Sequence, residues 1–314
     1  KPFAFRGMQL TGTLDLGYTR LGVLPPNVFA GATAGGVSLY NQPGITDILP
    51  GAFAGCTMCS SGISLANDQL RVLRTNAFAG LRSSTLRLTR AGITTIEPFA
   101  FNDTVSSVSL GGNALGTLVT HAFTGLRGSL TVDSSGVTNI EPHAFVDSDL
   151  HGGLVLSGNN VGVLKTGALA GMQAKYVDLE NAGVSGIQPE AFAGTVLTSY
   201  KDTSHAGCVR LVGNPLDIIP SRAFSGLTCT SSYSTSKYGG LHLNSLQGIQ
   251  AFAFDGCSLP ILQVYESSVG TLVSDTFFGL KVGYVVDLRR VNQEKARPRQ
   301  ARRVSLRPCS PRRH

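Results

Sequence analysis

Residues 93–101 read ITTIEPFAF, and residues 186–194 read GIQPEAFAG. In each, an aliphatic side chain stands five positions before a Phe: Ile96 before Phe101, Ile187 before Phe192. The pair recurs along nearly the whole chain. Its anchors are Phe5, Phe29, Phe53, Phe78, Phe101, Phe123, Phe145, Leu169, Phe192, Phe224, Phe254 and Phe277, at steps of 24, 24, 25, 23, 22, 22, 24, 23, 32, 30 and 23 residues. A fixed period of this length is the mark of stacked coils, and it decides the architecture before any motif is sought.

Upstream of each pair lies a short alternating run, such as SVSLGGNAL (107–115), GLVLSGNNV (153–161) and YVDLENAGV (176–184). Alternation at period two over so few residues reads as a short strand with one face buried. A unit of this size cannot bury an apolar face alone, but stacked units share one core. Each buried aliphatic or Phe is worth about 1.5–3 kcal/mol before chain entropy is subtracted. The 314 residues would otherwise suggest two domains; repetition makes one elongated solenoid the better reading.

These motifs resemble the leucine-rich repeat family, and the I-x-P-x-A-F-x-G-L half resembles its extracellular "typical" subtype. The resemblance spans about residues 1–288. It implies an α/β repeat solenoid, mostly β: a right-handed horseshoe with one curved parallel sheet on the concave face and short turns or 3-10 segments on the convex face. Residues 1–291 are expected to form the solenoid, its first repeat incomplete, with strands centred near Leu16, Leu39, Leu65, Leu88 and so on to Leu243, Val264 and Leu288. In the family an Asn closes backbone groups between coils. Here that slot holds Asn at 113, 159 and 214 but Ala91 and Ala182 elsewhere, so water or local irregularity is expected at the alanines.

The net charge of +7 comes from one end. Residues 289–314 carry ten Lys or Arg against Glu294, which leaves 16 basic and 18 acidic residues before them, a net of −2. Composition predicts a basic, disordered tail over 292–314; nucleic acid is not an expected partner of the near-neutral solenoid. Both ends look cut, as for a piece of a larger ectodomain. No apolar run is long enough to span a bilayer as a helix.

Catalytic signatures such as G-x-S-x-G, H-E-x-x-H and the phosphate-cradling Gly-rich loop are lacking, so no enzyme and no cofactor is expected. Repetition alone aligns His121, His143, Asp147 and His151, which argues against a metal cluster there. Cys56 and Cys257 fill a slot that elsewhere holds Leu, as core thiols. Cys56 and Cys59 make a lone C-x-x-C, too little for zinc. Cys208 and Cys229 bracket neighbouring insertions, which predicts a disulfide between them, with Cys229–Cys257 as the alternative. Asn102-Asp103-Thr104 is a candidate glycosylation sequon.

The two long steps are insertions of about eight or nine residues, TVLTSYKDTSHAGC (195–208) and TCTSSYSTSKYGG (228–240). They read as rim loops entering the concave sheet. Insertions in solenoids map to one face, often the binding face, and Tyr among Ser and Gly is the composition of adaptable contact loops. Tyr200, Lys201, Tyr233 and Tyr238 in these loops, with Tyr176, Asp178, Glu180, Arg210, His242 and Tyr265 on the outward strand positions beside them, form the candidate ligand surface. The expected function is a secreted or cell-surface recognition module for a protein ligand, with a glycan as another possible ligand. An intracellular repeat scaffold in the cytoplasm is the alternative.

Overall fold

The computed structural model describes residues 1–40, 45–67, 69–199, 207–231, 240–270 and 272–288. The Tyr200, Lys201, Tyr233 and Tyr238 sites, the interior of both insertions and the tail beyond 288 lie outside them. The described chain winds as a parallel β-solenoid with no helix. Its main sheet begins at Thr13–Asp15 and runs through Thr33–Ser38, Thr57–Ser64, Arg82–Arg87, Val105–Ser109 and Arg127–Thr131 to Asp149–Val155. We number the coils from these strands, so Thr13–Asp15 belongs to coil 1 and Lys281–Asp287 to coil 12.

The strands sit earlier than the alternation implies. Leu39, Leu65, Leu88, Leu110 and Leu156 each follow directly on a strand end rather than occupying its centre. Leu243 and Val264 fall within strands instead. Pairing starts as soon as the chain leaves the anchor turn, through residues such as Arg82 and Val105, and the leucines merely extend it: Leu88 N–H donates to Ser109 O at 2.8 Å and Leu110 N–H to Thr131 O at 2.7 Å.

Inside, the anchor rings form a spine. Phe5, Phe29, Phe53, Phe78, Phe101, Phe123 and Phe145 stack in succession at centroid distances of 5.0, 5.2, 5.6, 5.7, 5.6 and 5.2 Å. Leu169 interrupts the column, and it resumes with Phe192, Phe224, Phe254 and Phe277. Three positions after each anchor lies the slot filled by Leu81, Leu126 or Leu227. At Thr104, Cys56 and Thr195 the side chain bonds the anchor of the preceding coil, Thr104 Oγ1 donating to Phe78 O at 2.7 Å and the Cys56 thiol to Phe29 O, whereas Ser148 Oγ donates to Phe145 O of its own coil. Burial pushes the Cys56 and Cys257 thiols up to about 12, so both are inert core groups. Thr104→Val keeps the shape and deletes one buried bond; urea denaturation should show a loss of about 1 kcal/mol.

Two positions before each anchor the backbone is left-handed, at φ 61° for Phe99, 61° for His121 and 60° for His143. Each residue there donates its N–H to the same residue of the next coil, Phe99 to His121 O and His121 to His143 O. That ladder holds the histidines in register.

The second face shows a period the single-coil ruler hides. The aliphatics that precede the anchors form short ladders only pairwise: Val23–Leu24 with Asp47–Ile48, Val72–Leu73 with Thr95–Ile96, Gly116–Leu118 with Val137–Ile140, Gly162–Leu164 with Val184–Ile187, and Ile218–Ile219 with Gly248–Ile249. Four of these five junctions carry a side-chain clamp as well. Glu97, Glu141, Gln188 and Gln250 accept the N–H of Thr75, Thr120, Thr166 and Ser221 respectively.

Three of the four junctions between those pairs are closed by Asn instead. Asn159 Nδ2 donates to Val132 O at 2.8 Å and Leu156 O at 2.7 Å, while its Oδ1 accepts from Ser135 N and Val137 N, both at 3.0 Å. Asn113 does the same for Leu88 O, Leu110 O and Ile93 N, and Asn214 for Leu179 O, Leu211 O and Val184 N. Each Asn therefore serves two coils. At the alanine slots the main chain takes over: Leu70 N–H donates to Ala91 O and Val161 N–H to Ala182 O, both at 2.8 Å. One of the contacts that an Asn would make at Ala91 and Ala182 is thus supplied by the main chain, and beside the first of them the backbone is irregular, with Arg71 left-handed at φ 41°.

Candidate binding surface

Most pairs of neighbouring coils in the main sheet have a seam between the residues paired just after the anchor turn and those paired just before the leucine, although Val105–Ser109 and Arg127–Thr131 pair without a break. Register shifts mark it between Ala34 and Gly36, Met58 and Ile63, Arg82 and Thr85, and Arg127 and Ser129. At coil 8 the seam opens. Asp149–Val155 pairs with both Gln173–Ala174 and Val177–Asp178, and two ladders continue separately. One runs through Val196–Ser199 and Thr228–Ser231, the other through Val209–Arg210 and Leu241–Asn244. Both rejoin on Ser258–Tyr265. The insertions thus leave from within the sheet, not from its rim: each begins after a stretch that is already paired.

Cys208 and Cys229 form the expected disulfide. Cys229 lies in Thr228–Ser231 and Cys208 directly precedes Val209–Arg210, with their Cα atoms 6.2 Å apart. Both are buried. The bridge crosses the opening diagonally, from the far ladder of coil 9 to the near ladder of coil 10.

Along the far ladder, register places Asp178, Arg210, His242 and Gln263 in one row. The Arg210 guanidinium lies 3.5 Å from Asp178 Oδ2 and is also paired with Glu180. Asp178 Oδ1 in turn accepts Glu180 N–H at 2.9 Å. Burial, and then the Arg210 charge, pushes the His242 imidazole down to about 4, so it is neutral at physiological pH. Burial, reinforced by the carboxylate of Glu266, raises the Tyr265 phenol. Tyr265 stands opposite Asn244 in the ladder.

The predicted surface is therefore less open than its strand positions imply. Tyr176, Asp178 and His242 are buried; Glu180, Arg210 and Tyr265 are partly exposed. Tyr176 lies flat over Gly153 of coil 7, whose φ of 98° and missing side chain make room for the ring. Asn102 is exposed in its turn, whereas Thr104 of the same sequon is buried. No described helix is long and apolar enough to cross a membrane. Asn244 escaped the reading of the sequence; its alternation with Leu243 on a strand two residues beyond His242 was the available signal.

A family model described as BspA type leucine rich repeat region matches residues 24–151 in six copies. No curated protein matches the chain. The description names the BspA type, not the extracellular "typical" subtype expected from the I-x-P-x-A-F-x-G-L half. The matched copies fall within coils 1 to 7, and the same anchor spine, αL ladder and junction chemistry continue past them through coil 10. Over residues 24–151 the chain is similar to the leucine-rich repeat family.

Proposed function

We propose that this chain is a non-catalytic recognition module that binds a protein ligand across coils 8 to 11. The fold's repeats suit protein interaction, and they present one long sheet face. The observation that carries the reading is the coincidence of three features at one place: the opened seam, both long insertions, and the polar row of Asp178, Arg210 and His242 with Tyr265 beside it. Outward positions of coils 5 to 7 offer mainly Ser109, Thr131 and Val155. Interfaces draw their energy from a few Tyr and Arg anchors, so the better-equipped end is the binding end.

An extracellular or cell-surface setting is favoured over a cytoplasmic scaffold by Cys208–Cys229, since such bridges persist in oxidising compartments. Thiol titration of freshly isolated protein separates the two: Cys208 and Cys229 recovered free would favour the scaffold.

Once a partner is isolated by cross-linking, Arg210→Ala and Tyr265→Ala should each weaken it by about 1–2 kcal/mol, roughly 5- to 30-fold in Kd. Arg87→Ala, on coil 4, should change nothing. The reverse pattern would move the site to the other end of the sheet.

A further inference from the structure

Two buried side-chain atoms among the described residues lack a hydrogen-bond partner: His242 Nε2 and Asn244 Oδ1. They belong to the same strand, Leu241–Asn244, two residues apart. Leu241 and Leu243 of that strand are core residues, so strand alternation puts His242 and Asn244 together on the opposite, outward face. An unpaired buried polar atom costs about 1–3 kcal/mol, and two adjacent ones on the proposed binding strand mark a place prepared for a group that is not part of the fold.

We propose that His242 and Asn244 form a polar notch for one main-chain peptide group of the partner, its N–H donating to Asn244 Oδ1 and its C=O accepting from His242 Nε2–H. This rests on the protein-binding reading and adds to it the kind of segment bound: extended chain, gripped by its backbone. Charge favours a neutral group. Arg210 is already closed by Asp178 and Glu180, so an incoming carboxylate would compete with both and meet Asn244 Oδ1, while an incoming cation would meet Arg210. Geometry favours a peptide unit over a sugar. The two Cα atoms are about 7 Å apart along the strand, and a trans peptide directs its N–H and C=O to opposite sides, whereas neighbouring sugar hydroxyls project together.

The test uses the whole chain, folded and oxidised, with N-methylacetamide as the peptide-group probe. The imidazole 15N resonances are followed during titration, that of His242 being assigned by its loss in His242→Gln. A saturable shift of the Nε2 signal with N-methylacetamide is expected, reduced several-fold in Asn244→Leu. N,N-dimethylacetamide, which lacks the N–H, should shift it several-fold less, and acetate, methylammonium and methyl glucoside should leave it in place. Equal shifts with both amides, a response to the glucoside or an ion instead, or no response to any probe would overturn the notch. The last outcome would mean that water alone fills it. If Arg210→Ala still costs partner affinity in that case, only the notch falls and the protein-binding reading stands.

Discussion

Replacing Asn159 by Leu is expected to lower stability by about 3–4 kcal/mol, seen as a fall in the urea midpoint. The side chain closes four backbone groups: the carbonyls of Val132 and Leu156 and the N–H groups of Ser135 and Val137. Each buried bond is worth about 1 kcal/mol, and leaving the group unpaired costs at least that much. Val132 and Val137 are fully buried, so solvent is poorly placed to compensate. The companion substitution runs the other way. Ala182→Asn inserts the amide that a single-coil repeat would call for, yet it should give no gain. Leu156 O and Leu179 O are already taken by Asn159 and Asn214, and Val161 N–H by Ala182 O, and Ala182 is fully buried. Overpacking there costs about 1–3 kcal/mol. A stabilised Ala182→Asn protein would overturn the two-coil account of these junctions.

Removing the disulfide by the double change Cys208→Ala and Cys229→Ala should cost about 3 kcal/mol. The bridge closes a loop with a sequence separation of 21, and loop-closure entropy for that length is of this order. Location adds to the argument. The ladders of coils 9 and 10 are strands of only two to four residues, parted at the seam, and the bridge is what ties one to the other. Peptide mapping without reduction should recover Cys208 and Cys229 as one linked pair and leave Cys257 out of it. A double variant as stable as the parent would show that the ladders hold without the tie.

The anchors and their aliphatic partners announced the solenoid because burial imposes them on every coil: Phe29, Phe53 and Phe78 must stack, so the residue type repeats. Strand position was misjudged because backbone pairing does not require apolar side chains. Arg82, Arg127 and Asp149 pair as well as leucine does, and nothing in their hydropathy says so. The insertions were found by counting, but their place inside the sheet was not, since a seam defined by register shifts leaves no residue signature. The double-coil period was legible and passed unread. Asn113, Asn159 and Asn214 recur at two-coil intervals, and from Leu73 to Ile249 Thr or Ser alternates with Glu or Gln after the aliphatics. One side chain reaching into two coils makes the pair, not the coil, the unit of hydrogen bonding. At the candidate site, Arg210 and Glu180 could be placed on one face by alternation, but the burial of Tyr176 and His242 depends on Gly153 and on neighbouring coils, which periodicity does not reveal.

Coils 9 and 10 are one such pair, joined by Ile218–Ile219 with Gly248–Ile249 and by Ser221 with Gln250. Both insertions, the disulfide, Arg210, His242 and Asn244 all fall inside it. The specialised part of the molecule is thus a single two-coil unit, bounded on its entry side by Asn214 closing onto coil 8. A second copy of coils 7 and 8, with Asn159 at its entry and Thr166 held by Gln188 inside, would match that entry, but its exit would meet Ser267 of coil 11 instead of an Asn. Such an exchange keeps the order of the clamps, whereas adding or deleting one coil would put two clamps of the same kind side by side.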